Sequence, residues 1–231
     1  MFGLDEWIAG ISDEGSIVVV VLVATLLGLR HAADLDHLAA VSTLVVSGRE
    51  RATRAAARLG AAWGLGHALT LVAFGLPILL AERYLPELVQ RGAETTVAAL
   101  IAFLAVRLLV RWRHGAFAMT PGGGHGHVHR ARTPAAAFGI GLVHGMGGSA
   151  GVGVLLLAAM PSRTLALVSL VVLALFTAVS MTIVTTGFGA VLSARRVTGA
   201  LTTAAPALAL SSLAFGVWYA AAAWSLAPYP F

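Results

Sequence analysis

Hydrophobic residues along this chain fall into six long blocks, near Ile17–Val46, Leu59–Leu80, Glu94–Val110, Ala135–Ala159, Thr164–Leu192 and Ala200–Ala227. Polar and charged residues gather between them. A helix needs roughly 20 apolar residues to cross the hydrocarbon core of a bilayer, and the blocks are near or above that length. No period-2 alternation marks a membrane β-barrel. Where no water satisfies the backbone, helices are what remains. The pattern predicts an all-α integral membrane protein with about six transmembrane helices. The first block stands apart. At roughly 30 residues it would make a helix of ~45 Å, against a hydrocarbon thickness of ~30 Å. It must project, tilt, or break near Gly28.

The blocks also repeat. Gly28-Leu29-Arg30-His31-Ala32 in the first aligns with Gly141-Leu142-Val143-His144-Gly145 in the fourth. Gly66-His67 through Phe74-Gly75 in the second aligns without gaps with Ser180-Met181 through Phe188-Gly189 in the fifth. Each half then holds three spans. An odd number of crossings per half gives two inverted three-helix repeats, an arrangement that in transporters places the substrate site near the midplane, at the interface of the halves. The chain divides into an N-terminal interfacial segment (1–15), a first repeat (16–112), a His/Gly-rich loop (113–134) and a second repeat (135–231). In the first segment, Phe2, Leu4, Trp7, Ile8 and Ile11 predict a short helix lying in the interface. Its acidic residues and lack of a basic start do not read as a cleavable signal peptide.

Charge orients the helices. Arg49, Arg51, Arg54 and Arg58 follow the first block; Arg107, Arg111, Arg113, Arg130 and Arg132 surround the third connection; Arg195 and Arg196 follow the fifth. The other loops are mixed or carry Arg163 alone. The positive-inside rule puts the arginine loops in the cytoplasm and, after six crossings, both termini outside a cytoplasmic membrane. The net charge of +5 reflects these loops; it does not call for a nucleic-acid partner. With no cysteine in the chain, disulfides, thiolate metal sites and iron–sulfur clusters are excluded. Gly/Ala-rich faces suit a monomer or a homo-oligomer.

The candidate chemistry sits where the sequence otherwise wants hydrocarbon. His31-Ala32-Ala33-Asp34-Leu35-Asp36-His37 lies inside the first block. A charged side chain at the bilayer centre costs about 2.5–3.5 kcal/mol on insertion scales, so this cluster asks for a divalent cation or a shared proton. On a regular helix, His31, Asp34 and His37 fall on one stripe, about 60° apart in succession, with Asp36 roughly 160° from Asp34. Either Asp36 supports a neighbouring group, or the helix unwinds here, which a membrane tolerates only where backbone lines a cavity. Counting about 1.5 Å per residue from the arginine-side ends, His37, His67, His144 and Met181 come to a similar depth, with His31 deeper. These are the candidate metal ligands: His31, Asp34, Asp36, His37, His67, His144 and Met181. Each alone also has a packing reading, Met181 above all. Imidazole and carboxylate without thiolate suit nickel, cobalt, zinc or iron; calcium and magnesium want more oxygens.

Small residues surround these positions. Gly64 and Gly66 precede His67, and Gly145, Gly147, Gly148, Ser149, Ala150, Gly151 and Gly153 follow His144. They permit close helix approach, and Gly147-Gly148 also suggests a loosened helix. Between the third and fourth blocks, His114 and the alternating His125, His127 and His129 of a Gly-rich loop offer weak transition-metal binding on the cytoplasmic side.

Arg30-His31-Ala32-Ala33-Asp34-Leu35-Asp36-His37 resembles the Arg-His-Ala-x-Asp-x-Asp-His signature of the nickel/cobalt permease family, closest to its urease-accessory or high-affinity nickel transport branch. Trp63-Gly64-Leu65-Gly66-His67 is similar to that family's second segment, and Gly141-Leu142-Val143-His144-Gly145-Met146-Gly147-Gly148-Ser149-Ala150 to its central one. The resemblance implies a permease for Ni2+ or Co2+ as transported substrate, with no organic cofactor and with His31, Asp36 and His37 as its most critical positions. The His-rich loop is similar to that of metal-efflux relatives, so import and export both stay open. A His-box metalloenzyme is the alternative of another class. It usually needs a Glu as general base, and Glu6, Glu14, Glu50, Glu82, Glu87 and Glu94 all fall near block ends or in loops. A haem carrier using His31, His67 or His144 fits the adjacent carboxylates poorly. An exporter of small solutes on a six-helix fold would want more intramembrane cations than Arg30 and Arg107.

Overall fold

A computed structural model of the chain describes residues 18, 21–34, 36–41, 53–81, 86–114, 133–147, 162–193 and 195–228. The described residues are helical or in turns. The helices are α1 (Val21–His31), α2 (36–41), α3 (Thr53–Ala81), α4 (Glu87–Arg113), α5 (Pro134–His144), α6 (Arg163–Ser193) and α7 (Arg195–Ala223). Four helices, in α3, α4, α6 and α7, are long and apolar enough to cross a membrane. The expectation of about six spans is therefore met in part. The first block is not one helix: α1 ends at His31, Ala32–Asp34 form a turn, and α2 begins at Asp36. The break falls at Ala32 rather than near Gly28. The fourth block is helical from Pro134 to His144 and then turns at Gly145–Gly147. The predicted interfacial helix in 1–15, the loop histidines His125, His127 and His129, and Gly148, Ser149, Ala150, Gly151 and Gly153 lie outside the described residues.

Close glycine contacts give the packing directions. A Cβ on Gly60 would lie 2.7 Å from the Thr185 side chain, one on Gly64 2.8 Å from the Ala178 carbonyl oxygen, and one on Gly189 2.4 Å from Ala56 Cβ. Residue numbers rise on α3 as they fall on α6, so these helices cross antiparallel, backbone against backbone. In the second pair, Gly216 lies against Ala98 and Ala102, while Leu108 packs with Ala205 and Ala209, so α4 and α7 are also antiparallel. The Trp224 indole N–H closes one end of that pair, donating to Thr95 Oγ1 at 3.1 Å. α5 lies along α3, where a Cβ on Gly141 would come within 2.1 Å of the Trp63 carbonyl oxygen. Only hydrogen fits at such a contact, which lets the helices pack with their axes unusually close. α1 lies along α6, with Gly28 against Leu173 and Thr177.

Polarity is distributed inside out. The helices bury His67, Glu94, Ser169 and Thr177 and expose Leu65, Phe103, Val171, Leu175, Ile183 and Val217. Water would oppose this arrangement; lipid favours it, because apolar side chains facing hydrocarbon cost nothing while polar ones there would.

Candidate metal centre

The local sequence explains why chemistry-bearing side chains meet here. His31 is the last residue of α1. The Ala33 and Asp34 amides donate to the Arg30 and His31 carbonyl oxygens at 2.8 and 3.1 Å, tightening the helix end into a turn. The chain then restarts at Asp36, and His37 follows in the first turn of α2. His144 is the last residue of α5, whose end is tightened in the same manner by Met146 N–H to the Val143 oxygen at 3.3 Å, after a regular Gly145 N–H to Gly141 oxygen bond at 2.9 Å. His67 projects from the middle of α3, between Gly66 and Thr70. His31, His37, His67, His144 and Asp36 are all buried.

Two overlapping groups share His37. One ligand nitrogen from each of His31, His37 and His67 lies within 4.8 Å of the other two, and the same holds for one ligand atom from each of Asp36, His37 and His144. His31 Nε2 and His67 Nε2 stand 3.0 Å apart. Two nitrogens bound to one tetrahedral ion at about 2.0–2.1 Å are about 3.3 Å apart, so this pair is already close to ligating geometry. Asp36 Oδ1 accepts from the His37 amide at 2.9 Å and lies 3.0 Å from His37 Nδ1. Its other oxygen is 3.4 Å from His144 Nε2, long for a hydrogen bond. The His37 ring centroid lies 4.4, 4.9 and 4.6 Å from those of His31, His67 and His144.

Asp36 Oδ2, His37 Nε2, His67 Nδ1 and both ring nitrogens of His144 have no hydrogen-bond partner among the described residues. Buried polar atoms are nearly always paired. So many unpaired acceptor-capable atoms in one place describe a centre built for something else to complete it. Neutral imidazole nitrogens and a carboxylate oxygen together fit a borderline divalent cation.

The other predicted residues divide. Asp34 lies outside both groups: its oxygens are 3.4 Å from Arg30 Nη2 and 3.4 Å from His31 Nδ1, bridging an exposed cation to a buried imidazole. The regular stripe that put Asp34 with His31 and His37 is lost because the helix unwinds between them. Met181 is fully buried in an apolar cluster with Ala32, Leu59 and Trp63, beside the centre. Sequence reasoning passed over Trp63 as a candidate. Its ring packs 5.8 Å from both His37 and His144, and its position one turn before His67 was the available signal. It also set Glu94 at a block end; Glu94 is buried within α4, accepts from Gln90 Nε2 at 3.1 Å, and its backbone abuts Gly147.

No protein-family model matches the chain, and no solved structure does. Among curated proteins, it is 26% identical over 98 residues to the urease accessory protein UreH of Bacillus sp. (strain TB-90), which is 42% of this chain and 42% of that one. The chain thus matches less than half the length of that relative.

Proposed function

We propose that the protein is a membrane permease that moves Ni2+ or Co2+ across the cytoplasmic membrane through a buried centre of His31, Asp36, His37, His67 and His144. The observation that carries this reading is the convergence of four buried imidazoles and one carboxylate, several of their polar atoms unpaired, with His31 and His144 at the C-terminal ends of α1 and α5, Asp36 and His37 at the start of α2, and His67 within α3. A helix C-terminus carries about −0.5 elementary charge. Interrupted helices whose C-terminal ends face a site are a transporter device for holding cations. α1 and α5 both present that end. Asp36 adds a full negative charge, so the centre discriminates against anions before any ligand bond forms. The likeness to a urease accessory protein agrees with the resemblance of the His31–His37 segment to nickel/cobalt permeases.

Packing supports the inverted repeat as well. Carried two residues back, the alignment of the second and fifth blocks matches Gly64 to Ala178, and these matched positions are where α3 and α6 cross. A two-fold axis relating two halves must pass through such a self-matched contact. It also demands that α3 and α6 be antiparallel, which they are. Gly28 and Gly141, matched in the first and fourth blocks, both seat their short helix on the long helix of the other half.

Asp34, next to His31 Nδ1, favours a proton on that nitrogen, leaving His31 Nε2 to face the ion. His67 then donates across the 3.0 Å contact, and its single N–H must move to Nδ1 for Nε2 to ligate. Ion binding is thus coupled to a change of tautomer, and it releases a proton only from an imidazole or carboxyl group that was protonated beforehand. The test is radioactive nickel accumulation in cells expressing wild type or His31→Ala/His37→Ala, against empty vector. Raised accumulation that needs both histidines makes the protein an importer, and lowered accumulation an exporter. No difference for nickel and cobalt, with expression verified, overturns the reading.

A further inference from the structure

We propose that Ser180 and Thr70 are positioning residues, a matched pair of interhelical latches that hold the His31 end of α1 and the His144 end of α5 in place; this rests on the metal-centre reading above. The last carbonyls of a helix lack partners within it, and inside a membrane no water supplies them. Two residues before His31, the Leu29 oxygen accepts from Ser180 Oγ at 2.6 Å. Two residues before His144, the Leu142 oxygen accepts from Thr70 Oγ1 at 2.9 Å. Leu29 and Leu142 are equivalent positions of the repeat. Each latch therefore joins the long helix of one half to the short helix of the other.

The bonds differ from the common behaviour of such hydroxyls. Thr182, Thr185 and Thr186 on α6 each bond the carbonyl one turn back on their own helix. Ser180 instead reaches across, and Thr70 makes its shorter bond across, with Gly66 O on its own helix at 3.2 Å. The reach of so short a side chain requires near-contact of backbones. Gly28 and Gly145 provide it: a Cβ there would lie 2.8 Å from the Leu173 oxygen and 2.7 Å from the His67 oxygen. The hydroxyls themselves are not equivalent positions. Ser180 matches Gly66, one turn before Thr70, so the same bond is made from two different places in the repeat. That offset argues for a requirement at the helix ends rather than for inheritance of one side chain.

The test is a pair of double-mutant cycles on purified full-length protein, reading Ni2+ affinity by calorimetry and amide hydrogen exchange without metal. Thr70→Val should speed exchange over residues 142–147 and weaken Ni2+ binding about tenfold, the order seen when a supporting contact to a metal ligand is lost. In a His144→Ala background the same change should cost less than about twofold, because the residue it positions is gone. Ser180→Ala should behave likewise toward residues 29–34 and His31→Ala. Thr70→Ser and Ser180→Thr should restore binding. If Thr70→Val does not fold, Thr70→Ala carries the same cycle. Weakening that persists undiminished without the histidine, or unchanged exchange, overturns the latches. If wild type binds neither Ni2+ nor Co2+, the functional reading fails, and the exchange measurements alone decide the latches.

Discussion

At the scale of single residues, His37 holds the centre together. It belongs to both ligand groups, bonds Asp36 through Nδ1, and leaves Nε2 unpaired. His37→Ala should therefore reduce nickel transport to the level of empty vector while the protein still inserts, read by accumulation beside a membrane-fraction immunoblot. His144 enters through one group, so His144→Ala should weaken binding about tenfold rather than abolish it. Wild-type transport by His37→Ala would remove the core of the argument. Each imidazole must be neutral to ligate, so Ni2+ affinity should fall once the pH is low enough to protonate the centre, and the buffer-dependent enthalpy of proton release should appear only in that range in calorimetry. The four histidines were legible in the sequence because imidazole in an apolar block is expensive and conspicuous. The roles of the two aspartates were not. Helical periodicity pairs Asp34 with His31 and His37, whereas the turn at Ala32–Asp34 brings Asp36 to His37 and His144. A local unwinding of that kind leaves no period to count.

At the scale of elements, glycine decides where helices touch. Gly141→Ala would put a Cβ 2.1 Å from the Trp63 oxygen, and Gly64→Ala one 2.8 Å from the Ala178 oxygen. Backbone cannot yield cheaply at either contact. Each variant should lose about 1–3 kcal/mol of stability, the ordinary cost of overpacking, seen as a lower unfolding temperature in detergent. Gly139 has nothing within 4 Å, so Gly139→Ala should be neutral or gain up to about 1 kcal/mol from helix propensity. Equal behaviour of Gly139→Ala and Gly141→Ala would mean that α5 does not lie on α3 as described. The sequence marks the long helices well, since α3, α4, α6 and α7 follow blocks of continuous apolar character. It misplaced the break in the first block because Gly28 is the conspicuous residue. Glycine there serves close approach to α6, while the turn is made at Ala32, Ala33 and Asp34, of which only the aspartate is a turn-favouring residue.

At the scale of the whole molecule, direction follows from contacts before any rule about charge is used. α3 and α6 run antiparallel, as do α4 and α7; with α4 reversing α3 as the next crossing of the membrane, α6 runs with α4 and α7 runs with α3. The start of α3 and the end of α7 then lie on opposite faces. The proposal from the arginine loops is that the first of these faces is cytoplasmic. Because the chain has no cysteine, single introduced thiols report this cleanly. Leu226→Cys, at an exposed position just beyond α7, should react with a membrane-impermeant maleimide in intact cells. Thr53→Cys, exposed at the start of α3, should react only after permeabilisation. The reverse pattern would keep the architecture and overturn the charge assignment. Reaction of both thiols from one side would require an even number of crossings between them, and no pair of inverted three-helix halves can satisfy that. The repeat would then fall, and with it the argument that two equivalent helix ends approach one ion from opposite halves of the molecule.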